Sequence, residues 1–340
     1  MAGHLPVDDG FFMPGEWAPH ARCWMAWPCR ASLWGDGLEA ARTAYAEVAK
    51  AIAGFEPVTM LANEADLADA TARCGASVTC QAMPLDDSWM RDSGPTFLVD
   101  GKGGVAAVDW RFNAWGEKFL PFDKDAKVAG GVIDQLGLRR YDAPLVLEGG
   151  SIHVDGEGTL LTSEECLLNP NRNPDLDRAQ IETLLRDHLG VTAFVWLGQG
   201  LYGDDTDGHV DNIACYVRPG VVMAAVCEDT ADPNHAILQD NLARLKKAKD
   251  AKGRALEVIE LPLPREVRHL DGQRLSLTYV NYYIANGGIV MPSFGDANDG
   301  PARDIVARAF SDRRVVQVPA SDILAGGGGI HCITQQQPRP

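Results

Sequence analysis

Hydrophobic positions along the chain alternate between two periods. From Asp36 to Gly54, the residues Leu38, Ala41, Tyr45, Val48, Ala49 and Ile52 recur at helical spacing and predict an amphipathic helix. Glu56–Leu61 then reads as a strand, Asn63–Cys74 as a helix with Asn63 at its N-cap, and Ser77–Met83 as another strand. Thr96–Val99 and Val105–Trp110 flank Gly101-Lys102-Gly103-Gly104, a hairpin signal. Leu145–Leu147 and Leu160–Thr162 are further strands. Asp177–Leu189 is a helix closed by Gly190, and Val191–Leu197 a strand. Asn212–Val217 and Val221–Val226 form a second hairpin around Arg218-Pro219-Gly220, followed by a helix over His235–Lys252. Strands are expected at Leu256–Leu261, Ser276–Ile284, Gly288–Met291 and Val315–Val318, with a helix over Pro301–Ser311. Strand pairs and single helices recur with no low-complexity linker, which predicts a mixed α/β fold and one domain over residues 1–340.

A second regularity lies in the polar residues. His153-Val154-Asp155-Gly156, His209-Val210-Asp211-Asn212 and His269-Leu270-Asp271-Gly272 share one pattern, and Gly149-Gly150-Ser151-Ile152-His153 resembles Gly327-Gly328-Gly329-Ile330-His331. With Asp92 as the earliest member, the anchors fall about sixty residues apart, the mark of an internally repeated architecture with five related units. Symmetry of that kind brings equivalent positions together around a central axis. Asp92, His209, Asp211 and Cys332 would then meet.

Composition narrows the function. The formal charge of −16 opposes binding to nucleic acid or to an anionic lipid surface, and it suits a cationic substrate. No apolar run reaches the length of a membrane helix, and Met1–Pro6 lacks the basic and apolar regions of a secretory signal. The eight cysteines are scattered, with no CxxC pair and no zinc spacing, as expected of reduced thiols in a cytoplasmic protein.

Three clusters carry candidate chemistry. Gly326–Gly329 leads through Ile330 into His331-Cys332, a loop that can present a thiol to a substrate, which makes Cys332 the candidate nucleophile; a buried structural thiol is the alternative. Asp86–Pro95 sets Asp86, Asp87 and Asp92 around Trp89. Carboxylates there can grip a guanidinium by paired hydrogen bonds, or serve a polar turn. Tyr202–Asn212 is denser still. In a strand, His209 and Asp211 would share a face, and an imidazole beside a carboxylate suits proton transfer to a leaving amine. A metal site on His209, Asp211 and Asp207 is the competing reading. Glu148, before Gly149-Gly150, either reaches an adjacent site or is an ordinary loop residue.

Together these segments resemble the agmatine deiminase family within the guanidine-modifying superfamily. The resemblance also takes in Met13–His20, Trp24–Pro28, Tyr279–Gly287 and Gly326–Gln336, in family order over nearly the whole chain. It implies a five-bladed, pseudo-fivefold α/β propeller of ββαβ units. It implies Cys332 as nucleophile, His209 as general acid and base, Asp92 and Asp211 as the guanidinium grip, and Glu148 as support for the histidine. Trp89, Asp205 and Asp86 would line the pocket for the alkyl-amine arm. The implied reaction converts agmatine and water to N-carbamoylputrescine and ammonia through a covalent S-alkylthiouronium, with no metal or organic cofactor. Free or peptidyl arginine would present the same head group. Pseudosymmetric units are also compatible with a homodimer. One departure stands out: Gly329 takes the place where the family usually has Asn.

Overall fold

The computed structural model describes residues 4–340. The opening Met1-Ala2-Gly3, part of the segment read for a secretory signal, lies outside the described residues. Five sheets share one connection rule: an antiparallel strand pair, a helix, then a strand parallel to the second of the pair. In chain order the first is Thr96–Val99, Val105–Arg111, helix Val128–Leu136 and Arg139–Val146. The second is Ile152–Val154, Thr159–Ser163, helix Arg178–Leu189 and Ala193–Leu197. The third is Ala214–Arg218, Val221–Val226, helix Pro233–Lys247 and Glu257–Pro262. The fourth is Tyr283–Ala285, Gly288–Ser293, helix Asp299–Ala309 and Arg314–Pro319.

The fifth sheet joins the two ends of the chain. Thr334–Pro338 pairs antiparallel with His20–Ala26, in register from Met25–Thr334 to His20–Pro338 across one bulge. Helix Leu38–Ala53 then leads to Val58–Ala62, and helix Leu67–Cys74 to an extra parallel strand, Val78–Ala82. Central strands such as Val221–Val226 and Val58–Ala62 are buried throughout, which is why they read as unbroken apolar runs. The helices bury one stripe each, as Ala41, Tyr45, Val48, Ala49 and Ile52 do. No helix among the described residues is long and apolar enough to cross a membrane.

Several expectations are corrected. His269–Leu270 and Gln273–Arg274 form a small exposed hairpin outside the five sheets, so the His269 anchor belongs to no unit. The strand expected over Ser276–Ile284 begins only at Tyr283. Asn63 does not cap the following helix; its side chain pairs with the backbone of Leu85 on both sides, at 2.9 and 3.2 Å. The helix expected to run to Lys252 ends at Lys247, where Ala248 turns extended. The residues just before the first strand of each sheet are loops or single turns, and they hold the candidate chemistry.

Candidate active site

Four of the five sheets contribute from the same place. Asp92 precedes the first sheet, Glu148 the second, His209 and Asp211 the third, and Cys332 the fifth. Asp211 lies on a single turn, Val210–Asn212, with His209 at its N-cap; neither is in a strand, yet they still converge. Gly150 marks the meeting point. A Cβ there would stand 2.6 Å from His209 Nδ1 and 3.0 Å from both Asp211 Oδ2 and Asp92 Oδ1. Only glycine lets the backbone pass that close to three functional side chains.

Cys332 is 3% exposed, and its thiol faces Asp211 Oδ2 at 3.5 Å. Burial pushes the thiol pKa well up, and the nearby carboxylates of Asp211 and Asp92 push it further. These surroundings favour the thiol over the thiolate. Asp92 accepts from the Gly150 N–H and the Trp115 indole N–H, each at 2.9 Å. Burial raises its pKa, opposed by His209. Asp211 Oδ2 accepts from His331 Nδ1 at 2.8 Å, while Oδ1 is buried with no partner. Burial opposes its ionisation, but the His331 bond wins and holds the carboxyl below its usual range.

His209 sits with both ring nitrogens buried and unpartnered, 3.9 Å from Asp92 Oδ1 and 3.7 Å from Glu148 Oε2. Burial disfavours the imidazolium, but Asp92, Cys166 and Glu148 outweigh it and raise the pKa well above the ordinary value. Glu148 in turn is gripped by Arg172 Nε at 2.7 Å. Burial opposes its charge, yet His209 and Arg172 lower its pKa.

A cavity leads to these groups. Asp92 and Cys332 reach it from within; Trp89, Trp115, Phe119 and Leu33 wall it. Asp205 and the glycines 326 and 327 also border a wider outer hollow of about 470 Å³, so they stand at the mouth. Trp89 stacks on Trp34 with centroids 5.9 Å apart. Asp86 is not brought to the cavity: it accepts the Lys124 N–H at 2.9 Å and pairs with its ammonium at 3.4 Å. Its neighbour Asp87 lines the wall, neutralised by Arg30 at 2.7 Å. Asp207 is likewise drawn elsewhere, to Arg172 at 2.7 Å and Lys118 at 2.6 Å, so the trio of His209, Asp211 and Asp207 is not assembled as a metal site.

Four side chains of the site carry little sequence signal. Glu16 accepts from His331 Nε2 at 2.9 Å and Arg91 Nη1 at 3.1 Å, buried behind Asp211. Trp115 is set by a segment in which Ala114, Trp115 and Glu117 all have positive φ. Arg172 lies in a patternless polar run, and Asn281 lies within Ser276–Ile284, where the sequence predicts a strand. Glu16 and Asn281 do fall inside Met13–His20 and Tyr279–Gly287, segments of the family resemblance, and the density of Asn and Arg in Asn169–Asn173 is the signal for Arg172.

A repeated ββαβ sheet whose loops gather a thiol, an imidazole and three carboxylates defines a class, the α/β proteins with a buried cysteine–histidine site. Within that class, this chain belongs to the Porphyromonas-type peptidyl-arginine deiminase family, whose family model matches residues 12–338. It is 49% identical to an agmatine deiminase of Stutzerimonas stutzeri, over 98% of this chain and 97% of that protein. The solved agmatine deiminase of Enterococcus faecalis superposes with a TM-score of 0.96 at 38% identity, covering 100% of this chain and 99% of its own. A substrate-bound agmatine deiminase of C. jejuni superposes at 0.89 with 30% identity, over 96% of each chain.

Proposed function

We propose that this chain is an agmatine deiminase. A small cationic guanidine enters the aromatic cavity, and Asp92 and Asp211 hold its head group. The observation that carries the reading is the buried Cys332 thiol beside two carboxylates, one with an unpartnered oxygen. A guanidinium placed there supplies the positive charge that the thiolate needs. Cys332 attacks the guanidinium carbon. His209, kept protonated by its carboxylates, gives a proton to the departing nitrogen and ammonia leaves. The S-alkylthiouronium is then attacked by water, which His209 deprotonates, to give N-carbamoylputrescine. Residues of this chain supply every one of these steps.

Agmatine fits better than arginine on charge. Asp205 at the mouth attracts the ammonium of agmatine and repels the α-carboxylate of free arginine. Trp89, Trp115 and Phe119 match the alkyl arm between the two charges. The five equivalent sheets, closed by pairing of the chain ends, support a single domain that is a five-bladed propeller with its site on the axis. The eight free thiols suit a reducing, cytoplasmic setting.

The test is ammonia and ureido-product release from agmatine, free arginine and a peptidyl-arginine, with and without iodoacetamide. Turnover of agmatine alone, lost on alkylation, is the expected result. Preference for either arginine substrate would overturn the substrate assignment.

A further inference from the structure

The glycine run and the Tyr279–Gly287 segment play no part in the chemistry above, yet they meet at one side chain. Asn281 lies two residues before the first strand of the fourth sheet. That is the place from which the other four sheets send Asp92, Glu148, His209 with Asp211, and Cys332. The structure thus puts Asn281 where the sequence pattern had put His269.

Asn281 is 1% exposed, and its orientation is fixed. Its Oδ1 accepts the His331 N–H at 2.8 Å. A backbone amide only donates, so the oxygen must face it and the NH2 group must face away. That group lies 3.0 Å from Asn212 Oδ1 and 3.2 Å from Cys332 Sγ. The Asp211 carbonyl is a third, longer acceptor at 3.4 Å. The sulfur's other close polar side chain is the Asp211 carboxylate, which accepts from a thiol and repels a thiolate. Asn281 is therefore the side chain that favours the ionised sulfur, alongside the backbone N–H of Gly329, which Asn281→Asp leaves unchanged.

Gly329 makes room for this contact. A Cβ there would stand 2.3 Å from Asn281 Oδ1 and 2.8 Å from its Cγ. The amide fills the space that a side chain at 329 would take.

We infer that Asn281 is a catalytic residue: its Nδ2–H donates to the Cys332 sulfur and favours the thiolate, and Gly329 leaves the space for it to do so. This rests on Cys332 being the nucleophile proposed above. It needs no further group, since the amide neither gains nor loses a proton.

The test is alkylation of Cys332 by iodoacetamide in substrate-free enzyme across pH, followed by mass spectrometry of its own peptide, with Cys80 as internal standard. Two variants are compared with wild type. Asn281→Asp keeps the shape and the acceptor for the His331 N–H but turns an oxygen toward the sulfur. Gly329→Ala leaves Asn281 in place and displaces its amide. Near-UV circular dichroism and thermal unfolding establish that each is folded. Should Asn281→Asp not fold, Gly329→Ala and Asn281→Ser carry the comparison. The alkylation midpoint is expected to rise by about one pH unit or more in the variants, with labelling about tenfold slower below it. An unmoved midpoint in folded variants overturns the inference, even if turnover falls, because a purely structural role lowers activity without shifting the thiol. Wild-type turnover of agmatine that survives complete alkylation of Cys332 would instead sink the deiminase reading, a result separate from the midpoint.

Discussion

At the scale of single residues, the site is a set of buried charges that set one another's protonation. Glu16, Glu148 and Asp211 have lowered pKa values despite burial, because cations or imidazoles face them. Their stabilisation is fully present above the ordinary carboxylate range and is lost as pH falls through their lowered folded values. His331 and His209 have raised values, so their stabilisation is full below the ordinary histidine value and fades as pH rises through the folded ones. Asp125, pushed up to about 7 by burial, adds a cost that grows from the ordinary aspartate value to about pH 7 and so draws the optimum toward the acid side. The melting temperature should therefore peak between about pH 4.5 and 6.5, the ordinary values for Glu and His. A melting temperature still climbing above pH 8 would contradict these assignments. The sequence made Cys332, His209, Asp92, Asp211 and Glu148 legible because rare residue types stood beside glycine. Glu16, Trp115, Arg172 and Asn281 were not, because burial and a partner distant in the chain give them their roles.

At the scale of elements, long amphipathic helices and apolar central strands could be read directly. Leu38–Ala53 and Val221–Val226 fall within or on the expected bounds. The elements missed break the local rules. Helix Val128–Leu136 contains Gly130-Gly131, and Gly130 faces the Arg140–Asp109 pair so closely that a Cβ would lie 2.6 Å from Arg140 Nη1. Strand Thr334–Pro338 is polar yet largely buried; the Gln335 amide donates to Pro95 O at 3.0 Å. The segment Ala114–Glu117 is the most strained connection in the site, and its strain is offset by what it delivers. Asn113 Oδ1 accepts the Gly116 N–H at 2.9 Å, and Phe112 and Phe119 pack edge-on against Trp115. Trp115→Phe keeps that packing and removes the N–H on Asp92. A hydrogen bond to a charged group contributes about 1.5–3 kcal/mol, so kcat/KM for agmatine should fall about ten- to hundredfold while the fold persists. Unchanged kcat/KM would mean that Asp92 needs no help from Trp115.

At the scale of the whole molecule, the repeat explains why residues far apart in sequence work together. The spacing near sixty residues reported the unit length correctly, but its fourth anchor did not. Short strings recur by chance, and His269 fell on an exposed hairpin while Asn281 took the equivalent place. Closure of the fifth sheet by residues 334–338 also sets Cys332 two residues from the strand that ties the chain's ends, so the position of the proposed nucleophile depends on the entire fold. The central claim is that loops from separate sheets act on one carbon atom. The most direct measurement is acid quenching of agmatine turnover in the steady state, followed by mass analysis of the Cys332 peptide. The account predicts an adduct on Cys332 alone, equal to agmatine less ammonia, and slower formation and slower decay of that adduct in His209→Gln. Turnover with no adduct on Cys332 in either enzyme would contradict it.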